Sequence, residues 1–188
     1  QKNLTEYKSC VQVYVVIAPL IVLGGLGFGV LYNLLSVLRD RLIRLVRGYG
    51  GSGRLFFTAP PARLHLQTKI VLFVSALLIL VGTAALMLFE YYSPNPNHDA
   101  GFPTALFQSV SGRTAGFNTI DIASLSEASK FILILLMCIG GSPGSTAGGI
   151  KTVTFAVVVM IVRASFRKRR NVEIFGRSIR LLVVGRAT

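Results

Sequence analysis

Residues 111–119 read Ser-Gly-Arg-Thr-Ala-Gly-Phe-Asn-Thr, and their chemistry is that of the backbone. Thr114 and Ala115 are small, Gly116 is conformationally permissive, Phe117 is aromatic, and Asn118 tolerates unusual dihedrals. Such a turn can aim the carbonyls of Thr114, Ala115, Gly116 and Phe117 to one side, where they replace the water shell of a monovalent cation. Arg113 precedes the turn. A charge facing the ion would oppose it, so Arg113 is expected behind the turn, bracing it through Asp121 or Glu127 or bonding to loop carbonyls. A second cluster, Gly140-Gly141-Ser142-Pro143-Gly144-Ser145-Thr146-Ala147-Gly148-Gly149, holds five glycines and a proline in ten residues. It cannot hold a regular helix. Lys151 follows it and is expected either to occupy a cavity, where it would repel cations, or to snorkel towards water. No paired carboxylates, Ser/His/Asp set or Cys/His set is present to support catalysis, so the sequence does not read as an enzyme.

The elements that carry these residues are greasy and basic. Of 188 residues, 52% are hydrophobic and 14% charged, with a net charge of +13. An ordinary soluble domain is about 25% charged. A soluble enzyme and a soluble nucleic-acid binder are both poor fits, and the charge suits the water-facing ends of membrane spans better. Three long stretches carry few or no charges: Val11 to Leu38, Ile70 to Phe89, and Phe131 to Val162 with only Lys151 inside it. A bilayer core of ~30 Å needs about 20 helical residues. The third stretch would be ~48 Å long as one helix at ~1.5 Å per residue, so it must tilt, protrude or break. The glycine cluster supplies the break, within the membrane, where freed carbonyls and hydroxyls need water or protein partners. It reads as a flexible loop able to obstruct ion flow, or else as close packing by small residues.

Charge placement orients the spans. Seven basic residues lie between Arg39 and Lys69, seven more between Arg163 and Arg180, and none between Glu90 and Pro103. Loops 39–69 and 163–188 are therefore expected to be cytoplasmic, with loop 90–103 and the N-terminus extracellular. Phe102 to Val110 then forms a short apolar helix of ~15 Å between two outer ends, with Pro103 in its first turn. It reads as a re-entrant half-helix or as a helix on the outer leaflet. Re-entrant, it would aim its negative C-terminal dipole at the pore centre and favour a cation. Ser124-Leu125-Ser126-Glu127 matches a capping box and would start the third span.

Position by position, Thr114 to Asn118 matches the TVGYG chemistry of potassium-channel filters. Gly144 to Gly149 imitates the opening of a phosphate-binding loop, but Ile150 stands where lysine is needed and the flanks are apolar spans. Cys10 and Cys138 read as free buried thiols, His65 and His98 as loop residues, and Asn3-Leu4-Thr5 as a chance sequon. Arg167-Lys168-Arg169-Arg170 reads as an anchor at anionic lipid headgroups or a docking face for a regulator.

GRTAGFNTIDIASLS followed by GGSPGSTAGGIKT resembles the third repeat of KtrB-type membrane subunits of the Trk/Ktr/HKT potassium transporter superfamily. GGLGFGVL at 24–31 resembles the inner helix of the preceding repeat, and LHLQTKIVL at 64–72 the start of the third repeat's outer helix. The resemblance implies an all-α integral membrane fold: helix–re-entrant half-helix–helix repeats of a potassium-channel-like pore, with a broken inner helix. It implies four such repeats, each giving one quadrant of the filter with a single glycine, here Gly116. It also implies an intramembrane gating loop at Gly140 to Gly149, homodimers, and a cytosolic nucleotide-binding ring protein as regulator.

On this basis residues 1–47 are the inner helix of a preceding repeat and 48–66 a cytoplasmic basic loop. Residues 67–168 make one complete repeat, and 169–188 a basic lead-in to a fourth repeat that is absent. The pattern of apolar helix, glycine cluster, apolar helix and Arg-rich end recurs in 11–47 and 131–170. The expected activity is potassium transport across the plasma membrane, with sodium as the other candidate ion. The expected partners are lipid and the remaining repeats, and no nucleic acid. The alternatives are a non-conducting membrane scaffold and, less favoured, a carrier for another solute with broken helices.

Overall fold

A computed structural model describes residues 4–7, 10–48, 63–93, 101–113, 115–166, 172–174 and 177–179. Among the described residues six α-helices carry the fold: α1 (Ala18–Leu26), α2 (Phe28–Gly48), α3 (Leu66–Tyr91), α4 (Phe102–Ser111), α5 (Glu127–Cys138) and α6 (Thr152–Phe166). A π-helical turn at Val13–Ile17 leads into α1, and single 3-10 turns occupy Thr5–Tyr7 and Ile122–Ser124. The expectation of an all-α chain needs one amendment. Val172–Ile174 and Arg177–Ile179 form a two-stranded antiparallel hairpin, β1 and β2, with Val172 opposite Ile179. It lies where residues 169–188 were expected to be only a basic lead-in.

α3 is the hub and is long and apolar enough to cross a membrane. Its uncharged run extends from Ile70 to Phe89, and Glu90 ends it. Its buried residues Val71, Val74, Ser75, Gly82, Leu86 and Glu90 recur near every third or fourth position, one stripe of a 3.6-residue helix. Low on α3, Ile70 and Val74 pack with Ala156 of α6. High on α3, Leu86 packs with Ala105 of α4, Leu133 of α5, and Ile120 and Leu125 between those helices. Gly82 lets the backbones close up: a Cβ there would run into Ser109 Oγ and lie 2.9 Å from Leu136 Cδ1. Small residues at helix contacts suit a setting where lipid tails supply no hydrophobic drive.

Val11 to Leu38 does not form one straight helix. The chain turns by 104° between Val13–Leu26 and Phe28–Leu45. The turn is at Gly27, with φ 75° and ψ 155°, a conformation nearly confined to glycine. Beyond it, Asn33 is buried on α2 and ties down the start of α3. Its Oδ1 accepts from the His65 amide at 3.0 Å, and its Nδ2 donates to the Arg63 carbonyl at 3.3 Å.

The long third stretch does break. α5 ends at Cys138 and α6 begins at Thr152. The α5 N-cap is Ser126, whose hydroxyl accepts from the Ser129 amide at 3.2 Å. The expected capping box from Ser124 is therefore displaced by two residues. Asp121 caps the short turn holding Ser124 instead, accepting from the Ala123 amide at 3.1 Å. Glu127 sits in the first turn of α5 and pairs with Lys130 at 3.0 Å. Both cysteines are free, as expected, but Cys138 is exposed and Cys10 only half-buried.

Candidate functional site

α4 has ten residues; its C-terminal half is buried, while Phe102 and Pro103 at its start are exposed. Phe107, Ser109 and Ser111 have no exposure, and Gln108 has 2%. Phe107 meets Tyr14 edge-on, with ring centroids 5.7 Å apart, so the π-helical turn before α1 covers one flank of α4. Pro103 sits in the first turn, where its missing N–H costs nothing. Ser109 Oγ donates to the Ile79 carbonyl at 3.0 Å and fixes α4 on α3.

The chain after α4 folds back on that helix. The amides of Ala115 and Gly116 both donate to the Ser111 carbonyl, at 3.0 and 3.2 Å. Gly116 has φ 76°, and no atom lies within 4 Å of the Cβ it lacks. Gly116 and Phe117 are exposed. The turn is held from behind by two side chains of α4. Ser111 Oγ donates to the Phe117 carbonyl, and Gln108 Nε2 donates to Asn118 Oδ1 at 3.0 Å. From above, the Leu4 amide donates to the Asn118 carbonyl at 3.0 Å. The Phe117 carbonyl is thus partly engaged, with one lone pair left for any ion. Thr114, also expected to offer a carbonyl, lies outside the described residues.

Gln108 and Ser111 were not singled out in the sequence. The available signal was polarity: Gln108, Ser109 and Ser111 crowd the last turn of a helix whose first residues are mostly apolar.

Arg113 is behind the turn, but not braced by a carboxylate. Asp121 caps Ala123, and Glu127 pairs with Lys130. The Arg113 guanidinium donates instead to the Ser75 carbonyl and hydroxyl, each at 3.5 Å, and to the Gly140 carbonyl at 3.2 Å.

The glycine cluster forms one compact loop between α5 and α6. Its feet are zipped by a parallel bridge between Ile139 and Ile150, in which the Gly140 amide donates to the Ile150 carbonyl at 2.9 Å. Thr152 closes the base, its amide donating to the Gly141 carbonyl at 3.1 Å. Lys151 neither fills an open cavity nor snorkels away. Its Nζ donates to the Ala147 carbonyl at 2.7 Å and holds the loop's returning strand. Ser145 Oγ donates to the Ser142 carbonyl at 2.7 Å. Ser142 is fully buried, whereas Pro143, Gly144, Thr146, Gly148 and Gly149 are exposed.

The loop docks on the bend at Gly27. The Ser142 amide donates to the Gly25 carbonyl at 2.9 Å, and its hydroxyl donates to the Leu26 carbonyl. The Phe28 amide reaches back to the Gly144 carbonyl at 3.4 Å. A helix bent at Leu26 leaves carbonyls unpaired, and Ser142 satisfies them. The two glycine clusters were visible in the sequence, but not that they meet.

The family model described as TrkH, cation transport protein, matches residues 2–186. The chain belongs to this family. TrkH-family relatives include the Ktr system potassium uptake protein B of Vibrio alginolyticus, 36% identical over 87% of this chain and 32% of that protein. The protein of the same name from Bacillus subtilis is 32% identical over 98% of this chain and 38% of its own length. The potassium/sodium uptake protein NtpJ of Enterococcus hirae is 32% identical over 98% and 37%. The chain thus spans roughly a third of the length of these relatives. The crystal structure of the potassium transporter TrkH from Vibrio parahaemolyticus aligns over 82% of this chain and 33% of that one, at 26% identity and a TM-score of 0.46. The family is described as one of cation transport proteins, and the relatives named here are uptake proteins for potassium or for potassium and sodium.

Proposed function

We propose that this chain contributes one quadrant of a potassium-selective pore, together with the loop that gates it. The observation that carries this is the turn after α4: a buried half-helix, two amides folded back onto Ser111, and Gly116 at positive φ with open space in front of it. Amides bound behind the turn leave the carbonyls of Ala115 and Gly116 free to coordinate, joined by Thr114 and by the remaining lone pair of Phe117. The α4 C-terminus adds negative potential at the same place. Potassium is the transported ion, as the names of the relatives suggest for them, and sodium is the competitor. Loop 140–149 is the gate and α4 the re-entrant half-helix. Residues 67–168 form the repeat, and residues 1–47 belong to the repeat before it. The remaining repeats complete the pore in the plasma membrane, with loops 39–69 and 163–188 cytoplasmic. A homodimer and a cytosolic nucleotide-binding ring protein complete the assembly.

Burial of α4 counts against a non-conducting scaffold, whose half-helix would lie on the surface. The test is potassium uptake by the full-length transporter in cells lacking their own uptake systems. Gly116→Ser should lower the preference for potassium over sodium while leaving protein in the membrane. An unchanged preference would remove Gly116 from the filter.

A further inference from the structure

We infer that Arg113 is a positioning residue that ties the state of the filter turn to the position of the gating loop. This rests on the filter and gate assigned above and adds the link between them. The guanidinium bridges three elements. Its own backbone follows α4 directly and leads into the filter turn. Its side chain donates to Ser75 in the middle of α3 and, at 3.2 Å, to the Gly140 carbonyl, where the chain enters the loop. Gly140 is where leverage is greatest. Its amide already bonds the far foot of the loop at Ile150, so moving the Gly140 peptide moves both feet.

The partners of Arg113 among the described residues are all neutral. Its Nε is buried and has no hydrogen-bond partner among the described residues. A cation held by two carbonyls and a hydroxyl is held less tightly than one in a bidentate carboxylate pair, which suits a contact that must break and reform. Beside it lies a cavity of about 20 Å³ lined by Ser75, Val110, Arg113, Gly25, Leu26 and Gly141. That is room for about one water and for a small shift of the guanidinium. The cavity sits between the bend at Gly27 and the first loop residues, so a shift of Arg113 and a shift of the loop share the same space. A simple brace of the filter would have no need of the loop carbonyl.

The test is rubidium flux through the reconstituted full-length transporter, with potassium-over-sodium preference read on the same vesicles. Four proteins are compared: the parent, Arg113→Gln, a loop-shortened form lacking residues 143–147, and the two changes together. Arg113→Gln should raise resting flux about tenfold, the effect of losing one charge-assisted hydrogen bond on the closed loop. Ion preference should be kept. In the shortened-loop background Arg113→Gln should add nothing, because the tip whose position it sets through Gly140 is gone. Arg113→Lys keeps the charge but cannot span Ser75 and Gly140 together, and should give a smaller rise in the same direction. It serves where Arg113→Gln does not reach the membrane. Equal rises in both backgrounds, or no rise in either, would overturn the link. A fall in ion preference without a change in flux would also overturn it and make Arg113 a filter brace alone. If shortening the loop does not itself raise flux, the gate assignment fails, and that failure is read without any Arg113 variant.

Discussion

Gly27 and Gly116 have nearly the same φ, 75° and 76°, and opposite surroundings. At Gly116 a side chain would meet open space. At Gly27 a Cβ would lie 2.7 Å from Ser142 Oγ and 3.0 Å from both the Gly144 carbonyl carbon and the Ser145 amide nitrogen. Gly27→Ala therefore adds a clash to the backbone strain. We expect it to destabilise the transporter by about 2–4 kcal/mol, more than the ~1–3 kcal/mol of a strained backbone alone. Thermal unfolding of the detergent-purified protein measures this, and an unaltered midpoint would contradict the docking of the loop on the bend. Ser142→Ala removes only the hydroxyl that donates to Leu26 and should cost about 1 kcal/mol in the same assay. Gly116→Ala, with no clash to add, should be the milder substitution for stability.

At the scale of elements, the apolar runs were legible where they end in charge or proline. α3 fills the run that begins after Lys69 and ends at Glu90, and α4 begins beside Pro103 as the spacing predicts. The break in the third stretch was legible because five glycines and a proline leave no helical alternative. The 104° bend at Gly27 was not, because Gly24, Gly25, Gly27 and Gly29 lie in an apolar run that any of them could continue as helix. What selects Gly27 is tertiary: the carbonyls of Gly25 and Leu26 are taken by Ser142, more than a hundred residues away. Of the two alternatives for Arg113, the favoured carboxylate brace fails and bonding to carbonyls stands, for a related reason. Charge pairing points to Asp121 and Glu127, but both are used locally as cap and ion pair. Carbonyls such as those of Ser75 and Gly140 carry no signature in a sequence. The element that follows from this geometry is a loop zipped at its feet, with its tip docked on the bend at Gly27 by a single long hydrogen bond from Phe28 to Gly144. Deleting residues 143–147 should raise cation flux at least tenfold, about 1.4 kcal/mol in the barrier, and leave selectivity intact. A well-folded transporter that no longer conducts would argue against a gate.

Across the whole molecule, the +13 charge resolves into ends and middles. Arg39, Arg41 and Arg44 lie along α2 beyond the bend, and Arg163 lies in the last turn of α6. Tyr91 and Tyr92 stand exposed at the opposite end of α3. In the full-length transporter with every native cysteine, Cys10 and Cys138 among them, replaced by serine, Tyr92→Cys should react with an impermeant maleimide from outside the cell. Arg63→Cys should react only after the membrane is opened. The reverse pattern would invert the topology. The chain spans roughly a third of its relatives' length, so its surfaces meet their natural neighbours only in the full transporter. There the central claim, that the turn at Gly116 selects the ion, is tested most directly by a matched pair. Gly116→Ala and Gly144→Ala place the same methyl at the same positive φ, 76° and 77°, with open space around each, one on the filter turn and one on the loop tip. The measurement is sodium competition against rubidium uptake in reconstituted vesicles. The account predicts that Gly116→Ala loses most of its discrimination against sodium while Gly144→Ala keeps it. Equal selectivity in the two variants would contradict it.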